Sequence, residues 1–144
     1  MLKGTFSSQL VVSDVERSIK FYKENLGLDL ILGPTEPLTG SKLSNALKIP
    51  DVNLRMALFK VGESALLELY EVINPKPETN EPISINSIGA SRINFVVEDI
   101  EATKKELEAK GVEFFSSIKE FEGRKWVVMS DPDGIGLELV QLTE

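Results

Sequence analysis

The chain has 144 residues, a formal net charge of −7, and no cysteine or histidine. Without these two residue types it forms neither disulfides, nor Cys/His zinc sites, nor nucleophilic systems that need a histidine base. The acidic charge argues against nucleic acid, whose phosphates select clustered Lys and Arg, and no apolar run reaches the roughly 20 residues of a membrane span. We therefore expect a globular protein without nucleic-acid or membrane partners, and the missing cysteines fit the reducing cytoplasm.

The chain opens with a predicted strand and a predicted helix. Residues 4–12 alternate as a strand does, and one face carries Ser7, Gln9 and Val11 while the other carries Phe6, Leu10 and Val12. A helix start follows, where Ser13 and Glu16 have capping-box spacing and Asp14 is the alternative cap. An apolar stripe at helical spacing continues to residue 26, Gly27 ends the helix, and residues 28–32 predict a short strand.

An insertion over residues 33–50 separates this strand from the next. Its residues 41–47 predict a short helix, and the insertion is interpreted either as a lid over a binding site or as plain surface. Strands are predicted over 53–60 and 65–72, joined by a turn at 62–63. The first module therefore spans 4–73, and the proline-containing segment 74–90 predicts an extended linker.

The second half repeats the pattern of the first. It predicts a strand over 91–97, a helix over 100–110 capped by Asp99, a short strand over 112–116, and strands 126–130 and 136–142 joined by a turn at 131–134. The sequence around Asp14 matches that around Asp99, and Leu67-Glu68-Leu69 matches Leu137-Glu138-Leu139. These repeats predict a single α+β domain made of two βαβββ modules, 4–73 and 91–142.

Residues near both ends carry a family resemblance. Val12-Ser-Asp-Val-Glu-Arg-Ser-Ile-Lys-Phe-Tyr22 resembles the opening module of the vicinal-oxygen-chelate superfamily, and Asp131-Pro-Asp-Gly134 followed by Leu137-Glu138-Leu139 resembles its closing hairpin. This superfamily includes glyoxalase I, methylmalonyl-CoA epimerase, extradiol dioxygenases and bleomycin-resistance proteins. The resemblance implies the glyoxalase/bleomycin-resistance fold, in which two βαβββ modules form a curved mixed sheet around one ligand-binding cup.

For metal-binding members, the resemblance implies four inward ligands, one on the first strand and one on the last strand of each module. The first-strand places hold Ser7 and Arg92 here, where His or Gln would be expected, and the last-strand places hold Glu68 and Glu138. Strand alternation alone also permits these glutamates to lie on a solvated outer face. The resemblance favours the inward orientation.

Arg92 determines whether two inward glutamates are expected to bind a guanidinium or a metal. Its planar guanidinium matches carboxylates, so we expect it to bridge Glu68 and Glu138 where a metal would lie; the alternative is that Arg92 reaches solvent. No cofactor is then expected. If a metal does bind, Gln9 substitutes for Ser7, and Glu68, Glu138 and Gln9 suit a divalent cation such as Mg²⁺, Mn²⁺ or Zn²⁺.

The predicted cup lining is aromatic and aliphatic with a few polar groups, as is typical of small-ligand pockets. It comprises Ser7, Gln9, Tyr70, Arg92, Asn94, Trp126, Val128 and Val140. The alternative for Trp126 is core packing. Arg55 and Arg124 either meet an anionic ligand or face solvent.

Two functions are carried forward. The first is metal-free binding of a small molecule in the cup, as in the bleomycin-resistance branch, where the acidic charge suits a cationic ligand. The second is a lyase, or an isomerase/epimerase, of the glyoxalase type that uses Glu138 or Glu68 as the catalytic base, with or without a divalent metal. A structural domain with a filled cup is a third interpretation, and an extradiol dioxygenase is disfavoured because its iron site needs histidines. The family also suggests a homodimer, since edge strands need covering.

Overall fold

The computed structural model describes residues 1–143, which fall into two compact units, Met1–Asn80 and the residues from Glu81 onward. Each unit holds one β-sheet and its own helices, so the α+β class and the two sheet modules predicted from the sequence are confirmed. In the described part of the chain, no helix is long and apolar enough to cross a membrane.

The first unit contains a mixed sheet with one helix packed on it. Its elements are β1 Ser8–Val11, α1 Val15–Lys20 continued by a π-helical turn Phe21–Asn25, β2 Asp29–Leu32, β3 Leu38–Thr39, α2 Ser41–Leu47, β4 Asn53–Val61 and β5 Ala65–Asn74. The strands lie in the order β1-β5-β4-β2, with β3 also paired to β4. Only the β1–β5 pair is parallel among these described pairs.

Helix α1 forms where the sequence provides both a cap and an apolar stripe. The Asp14 carboxylate accepts a hydrogen bond from the Arg17 N–H at 3.0 Å, so the alternative cap, not Ser13, begins the helix. The buried side of α1 includes Val15, and Tyr22 follows in the π-helical turn. Tyr22 packs on Phe59 of β4, with ring centroids 6.1 Å apart. Burying side chains of this size stabilises the fold by about 1.5–3 kcal/mol each.

Alternation along β5 separates the core face of this sheet from the opposite face, which we call the polar face because Gln9, Glu68 and Tyr70 lie on it. Leu67 and Leu69 are fully buried on the face that also carries Ala57 and Phe59 of β4. Glu68 and Tyr70 therefore project from the opposite face, where their cross-strand neighbours are Leu58 and Met56. The core face is thus set by the leucines, and the glutamate is available for another role.

The second unit repeats this architecture with shorter strands. They are β6 Asn94–Val96, α3 Ile100–Ala109, β7 Lys119–Phe121, β8 Arg124–Ser130 and β9 Gly136–Leu142, and the strands lie in the order β6-β9-β8-β7. The β6–β9 pair is parallel, as β1–β5 is in the first unit. Its core includes Ile100, Val127, Met129, Leu137 and Leu139. The Asp131 carboxylate accepts hydrogen bonds from the N–H groups of Asp133 and Ile135, which fixes the turn between β8 and β9.

Several predicted boundaries are wrong. The first strands begin later than predicted: β1 starts at Ser8 instead of residue 4, and β6 starts at Asn94 instead of residue 91. Phe6 lies outside the ladder with 72% of its surface exposed. The parallel ladders begin at Ser8 and Asn94 although β5 and β9 each extend two residues further back, so alternation alone does not mark where strand pairing starts.

The predicted strand over 112–116 is replaced by one isolated bridge between Phe114 and Met129. Two backbone hydrogen bonds flank it, from Phe115 N–H to the Val128 carbonyl at 2.9 Å and from Ser130 N–H to the Glu113 carbonyl at 2.9 Å. The continuous ladder on this side of β8 is formed instead by β7, which the sequence did not predict. By contrast, α2 spans the predicted residues 41–47.

Candidate functional site

Gln9, Glu68 and Tyr70 form a hydrogen-bonded cluster on the polar face of the first unit. Gln9 on β1 lies in register with Glu68 on β5. The Gln9 amide N–H₂ donates to Glu68 Oε2 at 2.6 Å and to the Tyr70 hydroxyl oxygen at 3.1 Å, and the Tyr70 hydroxyl donates to the same Glu68 oxygen at 3.0 Å. Strand pairing therefore holds one carboxylate oxygen with two neutral donors.

The surroundings of this cluster restrict the charge of its members. Glu68 is buried, with 8% of its surface exposed. Burial raises the pKa of Tyr70 above its usual value, and the hydrogen bond to Glu68 and the negative charge of Glu68 raise it further. Tyr70 is therefore a neutral hydrogen-bond donor at physiological pH, and Glu68 receives no positive charge from either of these two donors.

Arg92 and Glu138 form the corresponding site of the second unit. Glu138 on β9 lies in register with Asn94 on β6, and Arg92 precedes Asn94 by two residues. Arg92 Nη1 lies 3.4 Å from Glu138 Oε1, and the two side chains are 26% and 20% exposed. This is a loose, half-buried ion pair, since a strong charge-assisted bond is nearer about 2.8 Å. The predicted contact from Arg92 to Glu68 would join the two units and stays a prediction.

The predicted lining residues of β8 and β9 share the face of Glu138. Trp126 pairs with Val140, and Val128 pairs with Glu138, so their side chains project on the same side of the β8–β9 ladder. Trp126 is half-buried, whereas Val128 and Val140 are buried. Ser7 lies immediately before β1.

The sequence left open whether Arg55 and Arg124 meet a ligand or solvent, and the structure places them on strands of different sheets. Arg55 lies opposite Glu71, on the helix side of the first sheet, and its guanidinium contacts Glu16 of α1 at 3.1 Å and the Thr35 carbonyl at 3.1 Å. It is therefore occupied away from the polar face. Arg124 is exposed at the start of β8, two residues before Trp126.

Comparison of the two modules shows a systematic difference around their equivalent glutamates. Each glutamate has an amide side chain in register on the first strand, Gln9 for Glu68 and Asn94 for Glu138. The other side chains near the two glutamates differ. Ser7 and Tyr70 in the first module stand where the second module has Arg92 and Val140. The carboxylate of the second module therefore has its own cation, and that of the first module has a hydroxyl donor.

The residues proposed as metal ligands do not fit a divalent cation in this arrangement. Gln9 presents its N–H₂ group to Glu68, whereas a metal takes an amide oxygen. Arg92 brings its positive charge to Glu138, the other candidate ligand. Over residues 1–143, no three His, Cys, Asp or Glu side chains converge as a metal-binding group would.

Sequence reasoning missed two strand residues that cap the helices. Glu71 on β5 accepts a hydrogen bond from Val15 N–H at 3.1 Å, and Gln141 on β9 accepts one from Ile100 N–H at 2.9 Å. Both follow the repeated Leu-Glu-Leu motif at the same distance, so aligning the repeats two residues further would have found them.

The insertion contributes to a separate pocket in the first unit. It has a volume of about 450 Å³ and lies where α2 faces the ends of β4 and β5. Its walls include Ser44, Asp51, Asn53 and Asn74. The pocket is formed jointly by the insertion and the adjoining ends of β4 and β5, and its lining includes none of the predicted cup residues.

Comparisons with known proteins agree with this architecture. The family model for the Glyoxalase/Bleomycin resistance protein/Dioxygenase superfamily matches residues 6–139. No curated protein matches the chain.

Among solved structures, a glyoxalase family protein from Bacillus cereus superposes with a TM-score of 0.85 at 20% identity, covering 100% of this chain and 97% of that one. TnmS3, an antibiotic binding protein from Streptomyces sp. CB03234, gives a TM-score of 0.64 at 20% identity, covering 99% and 100%. A lactoylglutathione lyase from Agrobacterium tumefaciens gives 0.63 at 18% identity, covering 97% and 94%. These likenesses show the fold, and the family model shows the family: the chain belongs to the glyoxalase/bleomycin resistance protein/dioxygenase superfamily.

Proposed function

We propose that this chain binds a small organic cation without a metal, and that Glu68 is the residue that recognises it. One observation carries the proposal: Glu68 is a buried carboxylate whose donors Gln9 and Tyr70 are both neutral. A buried charge is costly unless it is paired. An ammonium group bound at Glu68 would supply the positive charge that Gln9 and Tyr70 do not bring.

The surroundings of Glu68 support a ligand that is both charged and apolar. Met56, Leu58 and Tyr70 lie on the same sheet face, so an apolar body can pack beside the carboxylate while its ammonium group binds there. The tyrosine ring can also attract a cation through its π face. The net charge of −7 raises the local concentration of cations. An antibiotic binding protein among the structural neighbours supports ligand binding on this fold.

A matched pair of ligands tests the proposal. Phenethylamine carries an ammonium group on an aromatic body, and phenethyl alcohol has nearly the same shape without the charge. By titration calorimetry we expect phenethylamine to bind at least about tenfold more tightly, because a hydrogen bond to a charged group contributes about 1.5–3 kcal/mol. Equal affinities for the two compounds would contradict recognition by charge.

Two variants, each lacking one negative charge, test whether Glu68 is responsible for this preference. Glu68→Gln should abolish the preference for phenethylamine, whereas Glu63→Gln, at an exposed turn of the same unit, should preserve it. Addition of Mg²⁺, Mn²⁺ or Zn²⁺ should leave the affinity unchanged. A stoichiometric metal that is required for binding would rule out the metal-independent part of the proposal.

A second candidate function is a lyase or isomerase of the glyoxalase type with a carboxylate base. The geometry that favours it is that both hydrogen bonds to Glu68 end on Oε2, which makes Oε1 the oxygen that would take a proton from a substrate. The lactoylglutathione lyase among the structural neighbours supports this candidate at the level of the fold.

Proton exchange distinguishes this candidate from binding alone. A base of this kind should catalyse exchange of the hydrogens next to the carbonyl of hydroxyacetone with D₂O, followed by proton NMR. Glu68→Gln should abolish the exchange if Glu68 is the base, and Glu138→Gln should do so if Glu138 is. An exchange rate equal to that of buffer would leave cation binding as the function.

The homodimer and the cytoplasmic location suggested by the sequence are part of the same proposal. β1 and β6 lie at the ends of their respective sheet orders, so each has one strand partner within its sheet. Such edges need covering. Light scattering should give twice the 15.9 kDa mass of one chain, and the monomer mass at micromolar concentration would contradict the dimer.

A further inference from the structure

A glycine lies beneath the guanidinium of the Arg92–Glu138 pair. A β-carbon added at Gly136 would lie 3.0 Å from Arg92 Nε and 3.3 Å from both Cζ and Nη2. Three atoms of one planar group at nearly equal distances mean that the guanidinium lies face-on against Gly136. The remaining nitrogen, Nη1, is the one that contacts Glu138.

Strand register explains why these residues meet. Asn94 pairs with Glu138 in the parallel β6–β9 ladder, and Glu138 N–H donates to the Ile93 carbonyl at 3.0 Å. Arg92 precedes Asn94 by two residues, and Gly136 precedes Glu138 by two residues. Arg92 therefore lies opposite Gly136 on the face that carries Glu138. Gly136 is not in the left-handed backbone region, so the absence of a side chain, and not its backbone freedom, matters at this position.

The first module has the reverse combination of sizes. Ser8 pairs with Leu67, so one step earlier the small Ser7 comes opposite the large Leu66. The second module has the large Arg92 opposite Gly136. In each module one small residue thus lies opposite one large residue, and in the second module the large residue carries a positive charge.

We propose that Arg92 and Gly136 together form a specificity device that supplies Glu138 with a built-in cation, and thereby closes this carboxylate to external cations. Gly136 acts as a positioning residue for Arg92. The disagreement with the metal-binding members of the family has the same origin, because a guanidinium occupies the coordinating oxygen that a metal would need. This inference rests on the proposed function for its consequence: one cationic ligand per chain, at Glu68.

A double-mutant cycle tests the positioning without any ligand. Gly136→Ala should lower the melting temperature by about 3 °C when Arg92 is present, because the new methyl group displaces the guanidinium. In the Arg92→Ala background the same change should have no effect or raise the melting temperature slightly, since alanine is more favourable than glycine within a strand. An equal effect of Gly136→Ala in both backgrounds would overturn the role of Gly136.

Rescue of binding tests the specificity. In Glu68→Gln protein, the additional change Arg92→Ser should restore phenethylamine binding at Glu138 by at least about tenfold. Adding Lys105→Gln instead, which removes an exposed positive charge of the same unit, should not restore it. Binding that is equally weak with and without Arg92 would overturn the device.

The two experiments separate this inference from the proposed function. If the unmodified protein does not bind phenethylamine, the cation-binding function fails. The melting temperatures of the double-mutant cycle still decide whether Gly136 positions Arg92. If the unmodified protein binds but Glu68→Gln/Arg92→Ser does not recover binding, the function stands and the specificity device fails.

Discussion

The hydroxyl of Tyr70 is the residue-scale reporter of the charge on Glu68. Burial is the main reason that its pKa is raised, and the hydrogen bond to Glu68 and the charge of Glu68 add to the effect. We predict that Glu68→Gln lowers the pKa of Tyr70 while leaving it above its usual value, because burial remains. A pH titration of tyrosinate absorbance measures this, with Tyr70→Phe to separate its signal from that of Tyr22. An unchanged Tyr70 pKa would contradict the contact.

The same pKa determines how stability depends on pH. The folded-state pKa of Tyr70 lies above its unfolded value, so the native state holds the phenolic proton more tightly. This contribution is therefore fully present below about pH 10 and is lost as the pH rises through the folded-state pKa. We predict that Tyr70→Phe flattens the fall in melting temperature at alkaline pH, compared with the unmodified protein. A fall of the same steepness in both proteins would show that Tyr70 does not contribute to it.

At the scale of elements, helices α1 and α3 each begin at a side chain of the last strand of their own module, which accepts a hydrogen bond from the helix. Glu71 binds the first N–H of α1, and Gln141 binds the first N–H of α3. We predict that Glu71→Ala and Gln141→Ala each lower the free energy of unfolding by about 1 kcal/mol, since each leaves a helix donor unpaired. Urea denaturation followed by circular dichroism measures the change. Gln141→Glu, which keeps an acceptor oxygen, is the control and should cost less than Gln141→Ala.

Elements whose signals are local were predictable from the sequence. Asp99 was predicted as a helix cap and Asp14 as the alternative cap, and each carboxylate accepts a hydrogen bond from an N–H group of the first helical turn. The turn after β8 follows from Asp131 and its glycine. Strand ends were less predictable: the alternation begins at residue 4, whereas pairing with β5 begins only at Ser8. The contact between Arg92 and Gly136 depends on register as well, and no local property of a glycine in a strand indicates it.

On the scale of the whole molecule, the repeat explains both the similarity and the difference of the two modules. Both conserve the elements that build a sheet with a helix on one face, so both show an Asp-capped helix and buried leucines on the last strand. The opposite sheet faces have diverged, with Gln9 and Tyr70 at Glu68 and with Arg92 at Glu138. The repeated core could be predicted from the sequence because burial demands apolar residues at fixed spacing. The diverged faces could not, because their polar contacts depend on which side chains meet across strands.

If each module has its own packed core, equivalent leucines should matter to similar extents. Leu69 is 0% exposed and Leu139 is 3% exposed at matching positions of β5 and β9. We predict that Leu69→Ala and Leu139→Ala each lower the free energy of unfolding by about 2–5 kcal/mol, through lost apolar burial and the cavity left behind. Urea denaturation measures both, and Trp126 fluorescence reports on the second unit. The controls are Ile31→Ala and Leu142→Ala, which are 53% and 70% exposed and should change it by no more than about 0.5 kcal/mol. A core variant as mild as its control would show that the module around it lacks a packed core.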